Sequence, residues 1–82
     1  RYYMKRFSIQ ELSKIVIKKR KERKITQVQL ADLTGINRGM ISRLESCDYT
    51  PSLDQLQSLA EVLNFEPVDL FISDNQNDKK RY

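Results

Sequence analysis

Two helical patterns between Thr26 and Glu45 are each too short to stand alone, and they set the terms on which the rest of the chain must fold. The first runs from Thr26 to about Leu33, with Leu30 and Ala31 turned inward. The second opens at Asn37 and keeps Ile41 and Leu44 on one face, and Gly35 sits in the turn between them. Isolated helices below about 12–15 residues are marginal in water, because a costly nucleus is shared by few hydrogen bonds. The pair must pack on itself and on something larger. Two short helices joined by a glycine-containing turn are the sequence form of a helix-turn-helix.

The flanking sequence supplies that support. A start signal recurs: a capping residue, Glu or Gln three positions on, and an apolar pair across the cap. Ser8 with Glu11, Thr26 with Gln29 and Ser52 with Gln55 have the capping box. Asn37 lacks the partner but keeps the apolar pair Ile36 and Ile41. Pro67 suits the first turn of a last helix. The signals predict an all-α domain of five helices, with helix one from about Ile9 to Arg23 and helix four from about Leu53 to Leu63. Leu12, Val16 and Arg20 recur at i+4 on helix one; Leu53, Leu56, Leu59, Ala60 and Leu63 form the core stripe of helix four. Helix five, Pro67 to about Ile72, carries more apolar surface than a short terminal helix readily buries. Phe65, Val68, Leu70, Phe71 and Ile72 are therefore candidates for a dimer contact. The predicted domain spans 8–72, between a basic arm, 1–7, and a polar tail, 73–82.

Charge is distributed unevenly. Residues 1–24 carry ten Lys/Arg against Glu11 and Glu22, residues 25–46 are neutral, and residues 47–78 carry seven acids and no base. Lys79, Lys80 and Arg81 bring the total to +4. A polyanion would be attracted to one side of such a domain and repelled by the other. With no histidine and one cysteine, a protein-built zinc site is not expected. No apolar run approaches the length of a membrane span, and no signal-peptide pattern opens the sequence, which points to the cytoplasm. No nucleophile–base pair or phosphate-cradling glycine loop suggests an enzyme, and no cofactor or small-molecule ligand is expected.

Thr26-Gln27, Leu30-Ala31, Gly35, Ile41-Ser42-Arg43-Leu44-Glu45, Pro51-Ser52-Leu53 and Asp69-Leu70-Phe71 stand in an order and spacing that resembles the lambdoid phage repressor and Cro superfamily, the XRE-type regulators. The likeness runs from about Leu12 to Phe71. It implies a five-helix, lambda-repressor-like domain whose third helix enters the major groove of double-stranded DNA. Arg38, Gly39, Ser42 and Arg43 would face the bases, the two arginines suited to bidentate contact with guanine. Gln27 matches the position that donates to a phosphate, and Asn37 caps helix three beside the backbone. Arg20 and Glu45 match a partly buried ion pair between helices one and three. Arg20 and Lys19 would add phosphate attraction.

Some residues depart from the family pattern. Lys24 and Cys47 stand where glycine is usual, so they must either take the left-handed conformation or end their helices differently. Asp48 occupies a loop where relatives place a phosphate-binding base or amide, leaving Tyr49 and Thr50 as donors there. The leading expectation is a transcription regulator binding a palindromic operator as a homodimer. The alternative is a protein-interaction module of antitoxin or coactivator type on the same scaffold.

Overall fold

Ser8, Thr26, Asn37 and Ser52 each turn a side-chain oxygen onto a first-turn N–H, and each opens a helix. The computed structural model describes residues 5–73; the rest of the arm and tail, 1–4 and 74–82, lie outside the described residues. The chain order is β1 (Lys5–Phe7), α1 (Ile9–Glu22), α2 (Gln27–Thr34), α3 (Arg38–Glu45), α4 (Leu53–Leu63), a 3-10 turn (Pro67–Leu70) and β2 (Phe71–Ser73). The described fold is thus an all-α arrangement of four helices, with one short ribbon between residues 5–7 and 71–73.

Thr26 and Ser52 complete their capping boxes: their own N–H groups donate to Gln29 Oε1 and Gln55 Oε1 at 2.8 and 3.0 Å. Ser8 forms only half of one. Its Oγ accepts from the Glu11 N–H at 3.1 Å, but its own N–H donates to the Leu70 carbonyl at 2.8 Å. Glu11 has no donor left to cap and pairs instead with Lys14 at 3.1 Å.

The predicted fifth helix is not formed. Pro67 starts a turn, as its fixed φ allows, but the turn stops at Leu70, and Phe71 is extended at φ −100°, ψ 128°. Two causes act together. The ladder with β1 takes up residues 71–73, and the aromatic and β-branched pair Phe71-Ile72 fits a pleated strand. β2 pairs antiparallel with β1, setting Phe7 opposite Phe71 and Arg6 opposite Ile72. The Phe7 and Phe71 rings meet edge to face, centroids 6.0 Å apart.

Inward residues of all four helices close one core. Leu12, Val16, Leu30, Ile41, Leu44, Leu59, Leu63 and Leu70 are fully buried, with Ala31, Ile36, Leu56, Ala60 and Phe65 around them. Leu53 does not belong to this core: it is 84% exposed. It lies on the first turn of α4, at the edge of the stripe that Leu56, Leu59, Ala60 and Leu63 present.

Three helices end in a left-handed residue other than glycine. Lys24, Cys47 and Asn64 have φ of 58°, 64° and 60°. Lys24 N–H reaches the Lys21 carbonyl while Ile25 N–H reaches Arg20, and Cys47 and Asp48 repeat the pattern onto Leu44 and Arg43. This is the Schellman arrangement, with Lys and Cys where glycine avoids the Cβ penalty. Lys24→Gly and Cys47→Gly should each raise stability by about 0.5–1 kcal/mol, seen as higher urea midpoints with an unchanged slope.

Candidate nucleic-acid interface

α3 has two faces because Ile41 and Leu44 are anchored in the core. At about 100° per residue, Arg38, Gly39, Ser42 and Arg43 then fall together on the outer side. Arg38, Gly39 and Arg43 are exposed and Ser42 is half-buried. Neither guanidinium is held by another described residue. Two forked cations stand on a rigid helix with their donors uncommitted, which suits paired acceptors such as the O6 and N7 atoms of guanine.

Asn37 fixes where this helix begins. Its Oδ1 accepts from the Gly39 N–H at 2.7 Å, leaving the Nδ2 donors facing solvent. A Cβ on residue 39 would come to 3.0 Å from that oxygen, so the absence of a side chain on Gly39 makes room for the cap itself. Gly35, at φ 75°, reverses the chain between α2 and α3 with open space around its Cα.

The base of α3 is tied to α1 and α2 through Glu45. Arg20 Nε donates to Glu45 Oε2 at 2.7 Å and Arg20 Nη2 to Oε1 at 3.1 Å. The two side chains are only 14% and 9% exposed. The Glu45 hydrogen bonds outweigh the lowering by burial and, helped by the Glu45 charge, raise the Arg20 pKa above its already high ordinary value. Arg20 Nη1 also donates to the Ile25 carbonyl at 3.0 Å, so each of the three guanidinium nitrogens makes a bond. Gln27 joins the same carboxylate, its Nε2 donating to Glu45 Oε1 at 3.0 Å.

Sequence reasoning missed Ser13. Its hydroxyl, on a buried residue of α1, donates to the Glu45 carbonyl at 2.6 Å. The available signal was its position one turn before Val16 on the inward face of α1, where a small polar residue implies a backbone acceptor.

Lys19 is half-buried on the last turn of α1, beside exposed Lys21. Tyr49 lies against the core and donates its hydroxyl hydrogen to Gln55 Oε1 at 2.7 Å, which leaves that oxygen only as an acceptor. Thr50 next to it is exposed. Of the dimer candidates, Leu70 and Phe65 are closed into the core, Ile72 is half-buried, and Val68 and Phe71 are 65% and 43% exposed. Among the described residues no helix is long and apolar enough to cross a membrane, and no cluster of His, Cys, Asp and Glu could hold a metal.

A family profile described as Helix-turn-helix matches residues 16–70. The chain is 43% identical over 47 residues to the immunity repressor protein of Bacillus phage phi105, covering 57% of this chain and 33% of that protein. It is 32% identical over 65 residues to repressor protein C of Escherichia phage P2, covering 79% of this chain and 66% of that one. The chain thus spans a third of one phage repressor and about two thirds of the other. In structure it is similar to the restriction-modification controller protein C.AhdI from Aeromonas hydrophila, at a TM-score of 0.68 and 27% identity, covering 77% of this chain and 96% of that one.

Proposed function

The chain belongs to the lambdoid repressor/Cro (XRE-type) helix-turn-helix family of DNA-binding transcription regulators, and we propose that it is a sequence-specific regulator that reads its operator with α3 and binds as a homodimer. The observation that carries this reading is the uncommitted pair Arg38 and Arg43 on the outer face of a helix whose inner face is locked in the core. Ser42 and the bare backbone at Gly39 complete the face offered to the bases. Gln27, the Nδ2 of Asn37, Lys19 and Thr50 contact phosphates around it. Arg20, with two N–H groups beyond its three bonds, adds attraction behind them, and Tyr49 stands back because its one donor is already engaged.

A single recognition helix covers a few base pairs, so a second half-site about one helical turn away is needed for useful specificity. Val68 and Phe71, with Ile72, supply an apolar surface for the second copy. Selection of bound sites from random double-stranded DNA, followed by footprinting, tests the proposal. The expected product is a twofold-symmetric site with half-sites about 10 base pairs apart, bound with affinity that falls steeply with salt. Recovery of no preferred sequence would sink the reading. It would favour a protein-interaction role, for which the shallow groove of Leu53, Leu56, Ala60, Phe65 and Pro67, edged by Glu61 and Glu66, is the available surface.

A further inference from the structure

We propose that Glu45 is a positioning residue for DNA: it orients the Gln27 amide so that one nitrogen bridges two anions, the Glu45 carboxylate inside the domain and a DNA phosphate outside. The inference rests on the reading of Gln27 as a phosphate contact and adds to it the residue that aims the contact.

Three observations carry it. A carboxylate is acceptor-only, and Glu45 Oε1 takes a hydrogen from Gln27 Nε2 at 3.0 Å. This excludes the flipped amide, which would set carbonyl against carboxylate. Nε2 carries two hydrogens, and the bond to Glu45 uses one, so a second donor remains on a half-buried residue at the first position of α2. Glu45 itself cannot swing away. Arg20 grips both of its oxygens, and Ser13 holds its main-chain carbonyl from α1. Arg20 also offsets the charge that would otherwise set carboxylate against phosphate across the amide. Ser13, Arg20, Glu45 and Gln27 thus form one relay from the core of the domain to its surface. Gln27 stands at the outer end of that relay, with its second Nε2 hydrogen still to give.

The test uses the protein on its selected operator, with single phosphates replaced by neutral methylphosphonates. Loss of one hydrogen bond to an ionised acceptor is worth about tenfold in affinity. The native protein should therefore lose about tenfold at one phosphate per half-site, and Gln27→Ala should show no loss at that phosphate. Glu45→Gln, whose amide no longer dictates which end of Gln27 faces it, should lose most of its sensitivity there. Arg20→Lys, which keeps the carboxylate and its bond to Gln27, should retain that sensitivity. Gln27→Asn, one methylene too short to span both anions, should behave like Gln27→Ala and keeps the test open if Glu45→Gln does not fold. Full sensitivity in Glu45→Gln or Gln27→Asn overturns the bridging role while leaving the phosphate contact standing. Full sensitivity of Gln27→Ala at every phosphate overturns the contact and the bridge together.

Discussion

Truncating Leu44 to alanine should cost about 3 kcal/mol and leave much of the protein unfolded at room temperature. Leu44 is fully buried, on the helix proposed to read DNA and next to Glu45. Its loss removes apolar contacts and opens a cavity among leucines from several helices, which cannot all relax into it. The domain is small, and at about 0.05–0.15 kcal/mol per residue its whole stability is of the same order as this one loss. The measurement is a urea titration followed by circular dichroism. Leu53→Ala serves as the control: the same chemistry on a side chain 84% exposed should move stability by less than about 0.5 kcal/mol. A Leu44→Ala variant within about 1 kcal/mol of the native protein would show that α3 is not held by this core.

What could be read from sequence was what local chemistry decides. Thr26, Asn37 and Ser52 announce helix starts because a cap depends on residues two or three positions away. Lys24 and Cys47 could be marked as left-handed or irregular because they stand where the family pattern has glycine, and both are left-handed. Non-local partners were hidden. The Ser8 N–H was expected to meet Glu11, but the competing acceptor, Leu70, lies at the other end of the domain. The pairing of Phe71 beside Phe7 is equally distant in sequence, and it ends the turn that Pro67 begins. Leu53 was misplaced because periodicity does not show where a core ends. The Arg20–Glu45 pair was legible only through family likeness, since nothing in either residue's neighbourhood announces a partner 25 positions away. Gln27 was visible as an outward-facing donor; its bond into Glu45 was not.

Separating attraction from reading gives the last expectation. Arg38→Ala and Arg43→Ala should each weaken binding to the selected operator by about 1–3 kcal/mol and relax preference at the base pair that arginine faces. Binding to unrelated DNA should change far less, because residues 25–46 are neutral overall and most of the positive charge lies in residues 1–24. Lys19→Ala should do the reverse: weaken all sequences about equally and reduce the salt slope by about 1. The contrast matters because a drop in affinity alone does not distinguish a lost base contact from a lost charge. Competition between operator and random DNA, measured at several salt concentrations, separates the two. If Arg38→Ala and Arg43→Ala both lower operator and random DNA binding in parallel, α3 carries only charge and the proposed reading head is elsewhere. If they split the two, the specificity resides in side chains whose orientation is set by Ile41 and Leu44 on the opposite face of the same helix.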